Sequence, residues 1–456
     1  MFTLRLLKIK IHSRRVFIFK RCLPIFAFLL ASMMLVWPAF VEHKDKFSVA
    51  VPNIKSVQGS DVDMENVRFF SKDKRNNPMN IVAVSVQEID PEKKILKLND
   101  PKATYKTADN ILLTSVSSYG LAFQNEKYLY FEDEILSTTD TGYEAISNKV
   151  TYDYDQNTIS SDSPIFIKGV GGMLRAEGFF ITDKGEKLNF KGKTKSLLFE
   201  TEKKIPEVKE LTFDKQDKYF KENKNSVMVT SSNGLVIDQM LKTITANGDA
   251  HIYQEKEHVK AEQIILTYKK DAYNKNQMVK AEAYQNAQVF SQNKTAQAEE
   301  MVLYKEKQDI LMNLNLVKNY YKDALAETIN QTVVLNKKAL VKEDGYLILA
   351  DKMYVFYKAV DKNKSQIDRI VAVGNVRASN GSQQIEGGYG IYNPTTKMID
   401  LYDNVLLKQG KSVLKGDWAN LNLETGLNTL KTKESDQKRI KGSLIAEDFE
   451  QEREEK

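Results

Sequence analysis

AEQIILTY at residues 261–268 decides the fold, because it returns as ADKMYVFY at 350–357 and as GDWANLNL at 416–423. A looser copy begins at Ala298-Glu299. Each copy opens with a small residue and an acid. Apolar and polar positions then alternate, which is the period of a half-buried strand. Ile264, Leu266 and Tyr268 therefore share one face. Met353, Val355 and Tyr357 share the corresponding face of the second copy, and Leu421 and Leu423 that of the third.

A second unit lies between these copies. It reads ITANGDA at 244–250, IVAVGNV at 370–376 and IDLYDNV at 399–405, with a looser VKAEAYQNA at 279–287. Its Gly-Asp, Gly-Asn and Asp-Asn pairs suit backbone positions with φ > 0. The two units together predict short strands separated by tight turns, at a spacing of roughly 30–40 residues per pair, as in stacked β architectures.

Working outward, the first half also alternates, for example at Ile95–Leu98, Val150–Tyr154 and Ile165–Ile167. Turn signals at Asp109-Asn110, Asp140-Thr141-Gly142, Asp183-Lys184-Gly185 and Asn393-Pro394 punctuate the runs. Only 9 prolines occur in 456 residues, which suits long hydrogen-bonded sheets. Charge density without alternation marks a connector at 201–226. This divides the body into modules at 55–200 and 227–432, followed by a charged, partly disordered tail at 433–456.

Residues Cys22–Val41, CLPIFAFLLASMMLVWPAFV, carry no charge and are long enough to span a bilayer core of about 30 Å. Trp37 suits the far interface. Seven cations and no acid lie within Met1–Val41, and subtracting those seven from the net +6 leaves −1 for the rest. The basic pI of about 8.8 thus belongs to a targeting segment and gives no reason to expect nucleic acid as a partner. The basic segment 1–21 is expected in the cytoplasm, the span 22–41 in the membrane and the body on the far side. The apolar run is longer than a typical signal-peptide core, and no clean A-x-A site follows it.

Catalytic constellations are not found. The single cysteine, Cys22, excludes disulfides and thiolate chemistry in the body. His251 and His258 flank an expected turn without a cysteine or paired acid beside them, so a solvated pair on strand ends is favoured over a zinc site. Gly169-Val-Gly171-Gly172 lacks the last glycine of a dinucleotide loop. Asp61/Asp63 and Asp153/Asp155 lack the downstream residues of a calcium loop and read as exposed strand acids. No G-x-S-x-G occurs. Neither an enzymatic activity nor a cofactor is expected.

The assembled motifs resemble the periplasmic components of lipopolysaccharide export in Gram-negative bacteria. The first half resembles the inner-membrane-anchored C component (LptC-like). The stretches that carry this are Asp61–Phe69, Leu98–Ala103, Gly142-Tyr143, Ser163–Ile165, Gly169, Gly172–Gly178 and Leu188–Gly192. The second half resembles the soluble A component (LptA- or OstA-like) at Tyr392–Pro394, Met398–Leu401, Asn404-Val405 and Leu414–Asp417. These components are usually separate chains.

The resemblance implies an all-β fold of two successive open, taco-shaped jellyroll modules behind one transmembrane helix. It implies lipopolysaccharide as cargo. The implied partners are the inner-membrane lipopolysaccharide ABC transporter and other periplasmic or outer-membrane jellyrolls, joined by edge-strand pairing. Ile264, Leu266, Tyr268, Met353, Val355, Tyr357, Leu421 and Leu423 would line a lipid groove. The strand holding Val67, Phe69 and Phe70 would dock on the transporter, and the last strands, near Leu421–Leu423, on the next link outward. A membrane-anchored structural or adhesive β-repeat protein with a closed core is the main rival. A carbohydrate-active enzyme is a weaker one, because no clustered carboxylates occur.

Overall fold

The computed structural model describes residues 63–443 apart from 73–77, 107–109, 183–184, 200–219, 221–225, 271–275, 292–293, 317–328, 344, 362–363, 426–427 and 433–439. The basic segment, the expected anchor Cys22–Val41, most of the connector and most of the charged tail lie outside the described residues. Among the described residues, no helix is long and apolar enough to cross a membrane. Twenty-eight strands and one helix are present among them, so the body is nearly all β, as expected.

The first strands are β1 (Asp63–Lys72), β2 (Pro78–Asp90), β3 (Ile95–Asn99), β4 (Lys102–Lys106), β5 (Leu112–Val116), β6 (Tyr119–Phe123), β7 (Tyr128–Thr139) and β8 (Glu144–Asp153). Shorter ones follow: β9 (Thr158–Ser161), β10 (Ile165–Gly169), β11 (Gly172–Ala176), β12 (Gly178–Thr182), β13 (Lys187–Lys191), β14 (Thr194–Phe199), β15 (Ser226–Ser231) and β16 (Leu235–Asp238). Long strands make up most of the rest: β17 (Thr243–Gln254), β18 (Glu257–Lys270), β19 (Asn276–Ser291), β20 (Lys294–Tyr304), β21 (Ile329–Glu343) and β22 (Tyr346–Asp361). The last are β23 (Lys364–Ser379), β24 (Gln383–Asn393), β25 (Met398–Gln409), β26 (Ser412–Asn422), β27 (Asn428–Lys431) and β28 (Lys441–Ser443), which falls inside the expected tail. Helix α1 (Lys307–Leu316) separates β20 from β21.

The long strands fold in the middle, and each serves two sheets. The first half of β17 pairs with β16 and its second half with β15. Its register with β18 breaks between Asn247 and Ala250. Similar breaks recur from pair to pair through β26 and align as a spine. Sheet A lies on one side of the spine and sheet B on the other. Toward the N-terminus, short strands replace the halves. Sheet A runs through β3, β6, β9, β12, β13 and β16, and sheet B through β4, β5, β10, β11, β14 and β15.

The two repeat units are the two sides of this spine. Gly248-Asp249, Gln285-Asn286, Gly374-Asn375 and Asp403-Asn404 all have positive φ. They are corners inside strands, not turns between strands, which corrects the sequence reading. A strand that changes sheets needs a local bulge, and the left-handed residues supply it. Lys337-Lys338 makes the same corner in β21 with φ of 59 and 53 degrees, without glycine, asparagine or aspartate. The small-residue-plus-acid unit sits on the neighbouring strand. Its small residue lets the sheets converge, and its acid reaches over the adjacent corner: Asn375 Nδ2 donates to Asp351 Oδ2 at 2.8 Å.

Gly374 shows the constraint most clearly. Its φ is 78 degrees, and an added Cβ would stand 2.5 Å from Asp351 Oδ2. Gly374→Val should lower stability by about 1–3 kcal/mol through strain, whereas Asn375→Gly should cost about 1 kcal/mol or less. Thermal melts of the two variants check this.

Helix α1 was not expected. Ile310 joins Ile329, Val334, Tyr354, Phe356, Val371 and Tyr389 in a separate cluster on the outer face of sheet A. Both faces of sheet A are therefore apolar at that point.

Candidate functional site

The inward-facing residues form one apolar cluster from Ile165 to Leu423. The first module contributes Ile165, Leu174, Ala176, Phe179 and Phe190, and the junction contributes Val229 and Leu235. A second cluster, from Phe69 to Tyr152, continues it toward the N-terminus, with Val150 and Ile159 packed against both. Hydrogen-bonded pairings of β14 with β15 and of β13 with β16 carry both sheets across the connector. The apolar interior thus crosses the boundary between the expected modules.

Six of the eight expected lining residues, Ile264, Leu266, Met353, Val355, Leu421 and Leu423, are buried in this cluster, and Tyr357 packs against it half-buried. Tyr268 stands beside a bulge in β19, where Thr267 pairs with Lys280 and Tyr268 with Met278. It is half-buried, and burial followed by the Asp238 charge raises its pKa. Sequence reasoning missed the alanines at 246, 250, 261, 283, 287, 298, 339 and 372, all buried in the interior. Their signal was the recurring small residue beside each corner.

The two sheets meet again at the mouth opposite the spine. The rim turns of sheet A share one device. Asp90, Asp153, Asp238, Asn393 and Asn422 each accept backbone N–H groups two or three residues on. Asp153 is thus a turn cap, and its former pair member Asp155 bonds Lys127 at 2.9 Å. Asp61 lies outside the described residues.

One rim turn reaches across the mouth. Lys397, between β24 and β25 in sheet A, contacts Glu343 Oε1 at the sheet B end of β21, 2.8 Å away. Lys294, at the start of β20, contacts the same oxygen at 2.9 Å. The Glu343 side chain is only 7% exposed. Burial alone would raise its pKa, but hydrogen bonds from Lys397 and Lys294 outweigh that and hold the carboxyl below its usual range. Asn380 of the sheet B rim donates to the Leu423 carbonyl of the sheet A rim at 3.4 Å. Glu257, in the β17–β18 hairpin of sheet B, acts on Tyr357 of sheet A, whose pKa is pushed up to about 12, first by burial and then by that charge.

His251 and His258 face outward on paired strands, with His251 Nδ1 2.7 Å from His258 Nε2. A His251 Nε2–H donating to Asp249 Oδ1, 3.2 Å away, leaves Nδ1 to accept from His258. Among the described residues, no three metal-ligating side chains come together. The His258 pKa is lowered, first by burial and then by His251 and Lys260. A lowered imidazole pKa means the fold favours neutral His258. Its contribution is therefore present above the unfolded value of about 6.5 and is lost as pH falls through the lower folded value. The melting-temperature advantage of the wild type over His258→Gln should shrink from pH 7 to pH 5.

At the ends of the sheets, β1 pairs on one side with β2. Phe69 points into the N-terminal core, and Val67 packs against it. What β1 offers on its other side is backbone. The Phe70 side chain lies outside the described residues. At the far end, β27 and β28 cover β26, so Leu421 is not on a free edge. Alternation marks a strand's faces but not whether its edge is taken, which is why the outward docking position was misplaced.

Residues 25–198 match the family model described as lipopolysaccharide-assembly, LptC-related. Residues 322–427 match the model for LptA/(LptD N-terminal domain) LPS transport proteins. The chain joins an LptC-like region to an LptA-like region. An uncharacterized protein of Rhizobium meliloti (strain 1021) is 40% identical over 82 residues, 17% of this chain and 44% of that relative. This chain therefore aligns with less than half the length of that relative. Among solved structures, LptH, the LptA-homologous periplasmic component of the lipopolysaccharide transport device from Pseudomonas aeruginosa, matches at 14% identity. That match covers 25% of this chain and 84% of LptH, with a TM-score of 0.22. Both family models describe proteins of lipopolysaccharide assembly or transport.

Proposed function

We propose that the chain is a non-enzymatic conduit that carries the acyl chains of lipopolysaccharide through its apolar interior. In this reading it is tethered to the inner membrane and spans from the ABC transporter toward the outer membrane. The observation that carries the reading is the interior itself, apolar and continuous across the hydrogen-bonded junction of the LptC-like and LptA-like regions. Burial is worth about 0.8 kcal/mol per methylene, so a chain of about twelve carbons gains on the order of 9 kcal/mol. An apolar path removes the barrier of crossing water without any chemistry. The backbone edge of β1 suits pairing with a strand of the transporter, and β27 and β28 suit pairing with the next jellyroll.

One observation favours a second reading, a membrane-tethered structural β-repeat protein. The interior side chains are packed together, and the mouth is bridged by Lys397 and Glu343. A photoreactive residue at Ile264, which faces inward, or at Ile265, which faces outward, separates the two. The conduit requires lipopolysaccharide to be trapped from position 264 and not from 265. Equal or absent trapping at both positions supports the structural reading.

A further inference from the structure

We propose that Lys294 and Lys397 form an anionic head-group subsite at the mouth of the interior, and that Glu343 holds the place of the head group when the site is empty. This rests on the conduit reading and adds where the charged part of the cargo sits.

The geometry carries the inference. Two ammonium groups from opposite rims converge on one carboxylate oxygen, at 2.9 and 2.8 Å. That oxygen belongs to a nearly buried side chain, in line with the interior residues Ala339 and Val341. Tyr346 closes the floor: it packs on the interior cluster, with the Lys397 ammonium 6.0 Å from its ring centre. A phosphate oxygen has the charge and acceptor geometry of the carboxylate oxygen it would replace. An amphiphile with acyl chains inside and a phosphate at the lip would meet apolar side chains and the lysine pair together. Exchange of carboxylate for phosphate also breaks the Lys397–Glu343 bridge, so head-group capture and opening of the mouth are one event. The lysines stay paired throughout, and the displaced Glu343 carboxylate turns out to solvent at the opened mouth, which avoids stranding its charge.

The test uses the full-length chain in inner-membrane vesicles, with a photoreactive residue at the inward-facing position 348. Phosphorylated lipid A and its dephosphorylated form are the probes. The wild type should trap the phosphorylated form about ten-fold more efficiently, the scale of one charge-assisted contact or two weak ones. K294M/K397M should lose that preference and keep the trapping of the dephosphorylated lipid. E343Q should trap more of the phosphorylated form than the wild type does. K294M/K397M/E343Q, which leaves no unpaired buried carboxylate, separates loss of preference from loss of folding. A full preference retained by the triple variant overturns the subsite. Equal trapping of both lipids by the wild type overturns the subsite and leaves the conduit standing. No trapping of either lipid by any chain overturns the conduit reading, and the subsite with it.

Discussion

Leu235→Asp should stop lipid traffic at the junction while leaving the LptC-like region loaded. Leu235 is 1% exposed and pairs in register with Phe190 across the boundary between the two regions. A carboxylate there faces the apolar interior. Burying it costs several kcal/mol, and an acyl chain passing it would lose apolar contacts on every side. Photo-trapping of lipopolysaccharide at position 174, upstream of the junction, should persist. Trapping at position 353, downstream, should fall at least ten-fold. Leu235→Met conserves volume and should cost less than about 1.5 kcal/mol with little effect on traffic. Equal loss at both positions would point to general misfolding, and no loss at position 353 would mean the path avoids the junction.

The second large effect separates the two faces of sheet A. Phe356 is fully buried in the outer cluster under α1, and Met353 is fully buried in the interior cluster. Phe356→Ala should cost about 3–5 kcal/mol and Met353→Ala about 2–5 kcal/mol. Lipid should affect them differently. An apolar cavity inside the conduit accepts an acyl chain, and ligand binding returns stability by mass action. Added lipopolysaccharide should therefore raise the melting temperature of Met353→Ala more than that of Phe356→Ala. The Phe356→Ala chain should also be cleaved faster near residues 307–316, because the apolar cluster that Ile310 of α1 joins loses a buried ring. Equal rescue of both variants by lipid would contradict the assignment of faces.

How much of this was legible in the sequence follows from what each signal encodes. Alternation reports a strand's two faces, so Ile264, Met353, Val355 and Leu421 were placed on an apolar face from spacing alone, and that face is the buried one. Tyr268, on the same face, is only half-buried, near the end of β18 beside a bulge in β19. The positive-φ pairs were legible as residues but not as corners. Gly374-Asn375 looks the same whether a chain turns back or bends into a second sheet, and only the strand on each side decides. Lys337-Lys338 carried no such signal at all. Helix α1 was hidden because KQDILMNLNL has no clear apolar stripe of its own, and its place is set by the sheet beneath it. The mouth was out of reach for a different reason. Glu343 and Lys397 are 54 residues apart, and their contact depends on how two sheets close, which no local pattern records.

The central claim is that one apolar path runs through both regions. The most direct measurement is a photo-crosslinking scan at the inward positions 135, 174, 229, 353 and 421 during ATP-driven transport, each paired with its outward neighbour. The conduit predicts lipopolysaccharide trapped at all five inward positions and at none of the outward ones. Trapping that ends before position 229, or that is as strong from the outward neighbours, would contradict it.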